Sequence, residues 1–312
     1  MKQVLTASTH IGSLYRIGVF LLSALLLFSC QEEQPPPFQV DSYTEVQTIK
    51  GLATPTAICT DGQYYYVASL GARLLPVTED RDGYISKIRP DGEIVSWHFI
   101  YGLNAPSDLL IIDTTLLVSD IDRVKGFDLN MGEQLMDISY LGAMIDGIAY
   151  DGEEFLYATA NISNRIYRTS LKTLNTQLFS EQISSPNGIA FDQATQSLIV
   201  SQFQHDGSGQ IFSLPIAEPT GEPKRLGATK GFLDGIQLSS QGTLFYTDWE
   251  DLHKTGRIGW IDPATQYQSD ISLPAQIQNP SDILFDESRR AFLVTDLLAN
   301  KAFCFFVQIS QP

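Results

Sequence analysis

Three polar residues, each followed by glycine, stand in similar stretches of the chain. They are Asp146 in MIDGIAYDG, Asn187 in SSPNGIAFD and Asp234 in FLDGIQLSS. Carboxylate and amide oxygens are the ligands that Ca²⁺ and Mg²⁺ prefer, and two carboxylates balance the charge of one divalent cation. Asn and Asp before Gly are also common turn residues whose side chains cap their own backbone. A shared position in a repeat would favour a joint cation site over three separate turns.

The three residues do share a position in a sixfold repeat. The six equivalent residues, which we call the inner column, are Thr56, Ser107, Asp146, Asn187, Asp234 and Ser281. Each is followed by a short apolar strand, a turn such as YDG or SQG, and a second strand such as FLYATA or TLFYTD. Successive members of the column are 39 to 51 residues apart. Repeats of this length that contain several strands each are typical of β-propellers. We therefore predict an all-β, six-bladed β-propeller over residues 38–312, with its ring closed by residues 42–49 as the last strand of the sixth blade.

The predicted geometry places the inner column at one mouth of the central channel, because the first strand of each blade is innermost. The loops after the second strands return to the same face and carry His205, Trp249 and His253 to its rim. The histidines are suited to carry protons or are simply solvated. Trp249 either stacks on a substrate or packs under its own loop. Asp108 and Asp282 follow the column by one position, so strand alternation predicts that they turn away from the axis and are structural.

The beginning of the chain is typical of an exported protein. Two basic residues, Lys2 and Arg16, precede a predominantly apolar stretch of twelve residues at positions 17–28, which is shorter than a membrane span. The following LFSC resembles a bacterial lipobox, which implies that residues 1–29 are removed and Cys30 is lipidated; an ordinary secretory signal is the alternative. Residues 30–37 would then be the lipidated cysteine and an acidic, proline-stiffened tether. By analogy with other lipoproteins, Gln31 indicates the outer membrane of a bacterial cell envelope, facing either the periplasm or the exterior.

Charge and cysteine content restrict the partners. Removal of Lys2 and Arg16 with the signal peptide changes the net charge from −16 to −18. This balance argues against nucleic-acid binding and against adhesion to anionic lipids, so the lipid anchor would be the membrane contact. We expect a monomer that binds a small molecule. Cys59 and Cys304 lie in apolar strand-like stretches and are interpreted as buried free thiols, although ring closure could bring them together.

Several stretches resemble a known family. PNGIAFD, LDGIQL and the six-unit layout resemble the senescence marker protein/gluconolactonase family of six-bladed propellers, related to the paraoxonases and diisopropylfluorophosphatase. GYISKIRPDGEI, VSDIDRVKGFDLNMGE and TDLLANKAF resemble an extracytoplasmic bacterial branch, and the resemblance covers most of residues 50–308. It implies a channel cation, usually calcium, or another divalent cation such as Mg²⁺ or Zn²⁺. The positions that match the family's metal ligands are Thr56, Asp146, Asn187 and Asp234; here Thr56 replaces a glutamate and Asp146 an asparagine.

The resemblance also implies a reaction, the hydrolysis of a lactone or related ester. The cation would polarise the carbonyl group, and Asp234 would be the base or nucleophile. Ser107 and Ser281 would add weak oxygen ligands or hold water, and His205, Trp249 and His253 would line the substrate rim. The alternative is a non-catalytic propeller that binds a small ligand, a glycan or a protein at the same mouth, because the fold alone does not decide between the two.

Overall fold

The computed structural model describes residues 38–72, 79–250 and 255–309, and within these ranges it contains twenty-four β-strands and no helix. The strands form six antiparallel sheets of four strands each, the blades of a ring. Within the same ranges no helix is long and apolar enough to cross a membrane. The six-bladed, all-β prediction is therefore confirmed. The predictions for residues 1–29, for Cys30, for the tether up to residue 37 and for His253 fall outside the described residues.

Each blade is built from the channel outward, with consecutive strands as neighbours. Blades one to three consist of β2 (Pro55–Thr60), β3 (Tyr65–Ser69), β4 (Gly83–Ile88) and β5 (Ile94–Leu103); β6 (Pro106–Ile112), β7 (Thr115–Asp120), β8 (Arg123–Asp128) and β9 (Gln134–Ser139); and β10 (Ile148–Tyr150), β11 (Phe155–Ala160), β12 (Arg165–Ser170) and β13 (Thr176–Ser180). Blades four to six consist of β14 (Pro186–Asp192), β15 (Ser197–Gln202), β16 (Gly209–Pro215) and β17 (Lys224–Gly231); β18 (Leu233–Leu238), β19 (Leu244–Asp248), β20 (Arg257–Ile261) and β21 (Gln268–Ile271); and β22 (Pro280–Asp286), β23 (Ala291–Asp296), β24 (Lys301–Ile309) and β1 (Val40–Lys50).

The ring is closed by β1, as the sequence predicts. This strand pairs antiparallel with β24, from Val40 opposite Ile309 to Lys50 opposite Lys301. Closure gives blade six the same four strands as the other blades, with β24 paired on both sides and β1 as the outer strand. The Lys50 end of β1 lies at the face where the inner strands begin, and the Val40 end lies at the opposite face.

Phe38, just before β1, fixes the entry of the chain into the ring. Its side chain is 7% exposed. Its ring makes edge-on contacts with four aromatic rings of blades five and six, at centroid distances of 5.0 to 6.1 Å, namely Phe245, Trp260, Phe285 and Phe292. Such pairs contribute about 0.5–1.5 kcal/mol each beyond the area that they bury. Phe38 therefore fixes the start of β1 at the face opposite the inner column.

The core consists of apolar clusters between neighbouring blades. In β7, Leu116 and Val118 pack towards blade one, whereas Leu117 packs towards blade three. Second strands are buried on both faces, which explains why they form continuous apolar stretches instead of alternating ones. Cys59 and Cys304 are free thiols, as predicted; Cys304 is buried, whereas Cys59 is only half-buried. Burial raises the pKa of Cys304 to about 12, which keeps this thiol protonated.

Hydroxyl groups join neighbouring blades close to the channel. In five blades the second strand carries a Ser or Thr whose hydroxyl donates to the backbone carbonyl of the next column residue: Ser119 to Asp146, Thr159 to Asn187, Ser201 to Asp234, Thr247 to Ser281 and Thr295 to Thr56. Blade one has Ala68 at this position. There the Thr56 hydroxyl itself donates to the Pro106 carbonyl of blade two, at 2.7 Å. The column is therefore tied from blade to blade around the ring.

Candidate functional site

A bulge in the inner strands determines which residues face the channel. Register shifts occur at the start of the inner strand in five blades, for example between Pro186 and Ile189 in β14. A bulge places two residues of one strand opposite one residue of its partner, so simple alternation fails there. Small residues follow the column where blades approach most closely. A Cβ atom at Gly188 would lie 2.4 Å from the Asp234 carbonyl oxygen.

Asp108 and Asp282 occupy the position that glycine holds in blades three, four and five. Strand alternation predicted that Asp282 turns away from the channel axis, and this prediction was wrong, since Asp282 lines the cavity. The bulge at the start of β22 interrupts the alternation of side chains at this position. The structural interpretation agrees with the hydrogen bonds. Asp108 accepts from the backbone N–H of Ile148 in blade three at 2.7 Å, and Asp282 accepts from that of Ile58 in blade one at 2.8 Å. Each carboxylate thus links its own blade to the inner strand of a neighbouring blade.

All six column residues line one cavity of about 380 Å³. The structure therefore brings together Thr56, Ser107, Asp146, Asn187, Asp234 and Ser281, which lie in six different blades. His205 and Trp249 line the same cavity. A cavity of this size accepts a small molecule, since binding pockets for such ligands span about 300–1,000 Å³.

Asp146, Asn187 and Asp234 are the column residues that bring carboxylate and amide groups to the polar part of the cavity. Asp146 accepts from the backbone N–H of Asn161 at 2.8 Å, and Asp234 accepts from the Ser281 hydroxyl at 3.2 Å. Within residues 38–72, 79–250 and 255–309, no group forms a hydrogen bond with the Asn187 carboxamide. The Asn187 carboxamide oxygen and the second oxygen of Asp146 therefore accept no hydrogen bond from the described residues and are available to a ligand in the cavity.

The carboxyl groups around the channel lack a nearby positive charge. No Lys or Arg of the described part of the chain lines the cavity. Burial raises the pKa of Asp146 to about 7, and burial together with the charges of Asp282 and Asp146 raises the pKa of Asp234 well above its usual range. Burial also raises the pKa of Asp282 to about 7, and burial together with the Asp282 charge raises that of Asp108. Such a group of carboxylates favours the binding of a cation or of protons.

The hydroxyl residues of the column are engaged within the protein. Thr56 is 6% exposed and donates to Pro106, whereas the Ser107 hydroxyl donates to the Ile145 carbonyl at 2.9 Å. Only their oxygen lone pairs remain for a ligand. The described residues contain no group of three or more His, Cys, Asp or Glu side chains placed to hold a metal ion. A cation at the column would therefore depend on the Asn187 carboxamide as well as on Asp146 and Asp234.

The rim residues differ in exposure. His205 is exposed, and its ring lies edge-on to Phe203 with a centroid distance of 6.1 Å. Trp249 is half-buried, packs edge-on against Phe203 at 5.2 Å, and donates its indole N–H to the Pro280 carbonyl at 3.1 Å. Trp249 therefore contacts blades four and six and at the same time lines the cavity. The indole N–H also lies near enough to Asp234 to lower the pKa of that carboxyl, against the larger effect of burial.

An apolar wall surrounds the polar part of the cavity, and our sequence reasoning did not find it. Five of the six residues that directly follow a second strand are apolar and line the cavity: Leu70, Ile121, Phe203, Trp249 and Leu297. Asn161 holds this position in blade three. The repeat contains the signal for this ring, because each of these residues stands at a fixed place after the second strand, one residue past its end.

These features define a six-bladed β-propeller with one cavity built on the inner column. Similar solved structures include a protein designated a gluconolactonase from its family (TM-score 0.64, 13% identity, 88% of this chain and 95% of that chain). They also include a streptogramin B lyase (TM-score 0.58, 11% identity, 85% and 98%) and virginiamycin B lyase from Staphylococcus aureus (TM-score 0.56, 14% identity, 85% and 99%).

At identities of this order the comparisons establish the fold alone. The resemblance to gluconolactonase-like propellers is confirmed at that level. No protein-family model and no curated protein matches the chain. The similar structures include both a gluconolactonase-like protein and lyases, so the choice of chemistry depends on the residues of the cavity.

Proposed function

We propose that this propeller is a metal-dependent hydrolase that opens a lactone or a related ester in the cavity of the inner column. The observation that carries the proposal is the meeting of Asp146, Asn187 and Asp234 in a cavity that no described Lys or Arg lines. The unpartnered carboxamide of Asn187 supports a ligand role for the column. The similar structure of a gluconolactonase-like protein supports the reaction class.

The donor set fits a hard divalent cation. Asp146, Asn187 and Asp234 would hold it, and a lone pair of the Thr56 hydroxyl is available in addition. Oxygen ligands of this kind suit Ca²⁺ or Mg²⁺ better than Zn²⁺, which prefers nitrogen and sulfur. When bound, such a cation supplies Lewis-acid polarisation of the substrate carbonyl.

The residues of the chain supply the remaining parts of the reaction. Asp234 accepts a proton from the water that attacks the carbonyl carbon, and the Ser281 hydroxyl holds its Oδ2 atom in place. The bond between the acyl carbon and the ring oxygen breaks, and that oxygen receives the proton, so the products are a carboxylic acid and an alcohol. His205 lies exposed at the rim, where it would contact the substrate as it enters.

Metal content and thermal stability test this proposal. We expect the protein without residues 1–30 to bind one divalent cation per chain and to melt at a higher temperature in calcium than in chelator. Asp234→Asn should abolish both the binding and the shift. Glu218→Gln, an exposed carboxylate on the opposite face of blade four, is the control and should retain both. Wild type that contains no metal and does not respond to calcium, magnesium or zinc would refute the metal-dependent mechanism.

The second candidate is a non-catalytic propeller that binds a small ligand, a glycan or a protein at the same mouth. The observation that favours it is that the described residues lack three His, Cys, Asp or Glu side chains arranged for a metal. A panel of lactones and aryl esters, with ring opening followed by a pH indicator, separates the two. Ligand binding without turnover of any member would select the second candidate.

We also propose that the protein is a monomeric lipoprotein of the bacterial cell envelope, anchored through Cys30. The lipobox-like LFSC supports this, and the described chain enters the propeller at Phe38, on the face opposite the cavity. Labelling with a radioactive fatty acid in a bacterial host tests the anchor. Cys30→Ala should abolish the label, whereas Cys59→Ala should keep it; label that persists in Cys30→Ala would refute the assignment.

A further inference from the structure

The wall of the cavity differs in chemistry from its polar part. Around the inner column, the ring of residues after the second strands presents aliphatic and aromatic side chains, to which Met144 adds a thioether. Apolar side chains of this kind stabilise a ligand by the removal of apolar surface from water, about 25 cal/mol per Å². The wall therefore favours ligand groups that carry no hydroxyls.

The polar side chains of the wall are already engaged in hydrogen bonds. The Asn161 amide donates to the Ser185 carbonyl at 3.2 Å, and the Trp249 indole donates to the Pro280 carbonyl at 3.1 Å. A polyhydroxylated ring in contact with this wall would lose hydrogen bonds to water and regain few from the wall residues that the structure describes. Buried hydroxyl groups without partners are costly, so the wall selects against such a ring.

The apolar surface continues to the outside of the mouth. Ile162 lines the cavity although its side chain is 71% exposed, and Leu298, next to the wall residue Leu297, is 42% exposed. These two side chains lie in the loops after the second strands of blades three and six. An apolar chain that leaves the cavity would therefore meet further apolar contacts at the rim.

We infer that the substrate is a lactone or ester with an apolar body, such as an alkyl-substituted lactone, and not a polyhydroxylated sugar lactone. Its carbonyl would lie at Asp146, Asn187 and Asp234, its apolar part against the wall, and the end of its alkyl chain beside Ile162. This inference rests on the hydrolysis proposed above. Water adds across the acyl–oxygen bond, and the products are a hydroxy acid with an alkyl chain and no other species.

Kinetics with δ-lactones of one ring size test the inference on the full-length protein. A series with alkyl substituents of increasing length is compared with δ-gluconolactone. Each buried methylene should raise kcat/KM about fourfold for the first few carbons, and the longer alkyl lactones should exceed gluconolactone. Faster opening of gluconolactone than of every alkyl lactone would overturn the inference and leave the hydrolase proposal intact.

Binding of the corresponding δ-lactams, which resist hydrolysis, separates a failure of the substrate class from a failure of the reaction. By titration calorimetry, the dissociation constant should fall about fourfold per methylene. If lactam affinity rises with chain length in this way but no lactone is opened, the preference for apolar ligands would be supported and hydrolysis would be refuted. An affinity that does not change with chain length, whether or not lactones are opened, would overturn the inference.

Two serine substitutions in blade three, one at the mouth and one on the opposite face, test where the alkyl chain of the substrate binds. Ile162→Ser should lower kcat/KM several-fold for the longest alkyl lactone and less for the unsubstituted ring, because only the longer chain reaches the rim. Leu174→Ser is the control, since Leu174 is 49% exposed on the opposite face of the same blade, and it should leave both values unchanged. Equal effects of the two variants, or none from Ile162→Ser, would overturn the placement of the chain.

Discussion

Thr56 has two possible roles, a ligand of a cation or a link between blades, and Thr56→Val separates them. The hydroxyl is buried and donates to the Pro106 carbonyl at 2.7 Å. Valine keeps the branched shape of the side chain but lacks the hydroxyl, so the buried carbonyl loses a donor. A buried hydrogen-bonding group without its partner costs about 1–3 kcal/mol. We expect the free energy of unfolding to fall by this amount.

A second substitution tests whether the link itself is the cause. Ala68 occupies the position at which the other five blades carry a hydroxyl directed to the next blade. Ala68→Ser in the Thr56→Val background should restore about 1 kcal/mol, because the added hydroxyl can reach a carbonyl of blade two. The same substitution in wild type should change stability little, since Thr56 already makes the link.

Urea unfolding at neutral pH, in calcium and in chelator, measures both effects. If Thr56 is structural, Thr56→Val lowers stability equally under the two conditions and leaves the calcium dissociation constant unchanged. If the loss occurred only in calcium and binding weakened tenfold or more, Thr56 would be a cation ligand, and the assignment of its hydroxyl to the blade link would be refuted.

Three further predictions concern closure, titration and packing. Phe38→Ala should lower the free energy of unfolding by about 3–5 kcal/mol in urea, while the exposed Gln39→Ala should change it by less than about 0.5 kcal/mol; equal effects would contradict the anchoring of β1 by Phe38. In chelator, stability should fall between about pH 4 and pH 7, because the folded Asp146 carboxyl, with its pKa raised to about 7, stays protonated while the unfolded one ionises. Asp146→Asn should remove up to about 4 kcal/mol of this fall, and an unchanged pH profile would refute the burial argument. Gly188→Ala should lower the melting temperature by several degrees, since its Cβ atom would lie 2.4 Å from the Asp234 carbonyl oxygen; a wild-type value would show that the blades can separate there without cost.

The fold was predictable because the repeat places the same features at the same phase six times. The weak motif PNGIAFD would not identify a strand by itself. Because LDGIQL and similar stretches occur at the same place in the other repeats, the positions of the inner strands can be assigned. The closing strand was predictable by counting, since the last unit had three strands and β1 had no unit. Physically, a propeller requires every sheet edge to be paired or protected, and this requirement makes the count informative.

The site was only partly predictable. Bulges are local departures from alternation, so the orientation of Asp282 could not be read from a period of two. The role of Thr56 depends on Ala68, twelve positions later, because Ala68 lacks the hydroxyl that links the other blades. The pattern of the inner strand alone does not reveal this dependence. By contrast, the wall residues such as Ile121 and Leu297 did have a sequence signal in their constant position after the second strand.

Ring closure by β1 has a consequence for how the polypeptide folds. Ser42 bonds to Gln308, 266 positions later, so the sheet of blade six joins segments that are synthesised far apart in time. Contacts of such long sequence separation form slowly because a very large loop must be closed first. Until then β24 exposes its outer edge, and β1 from another copy could pair with it in a domain-swapped dimer. The last blade is therefore the place where rapid overexpression would produce intertwined oligomers, and slower synthesis should favour the monomeric ring.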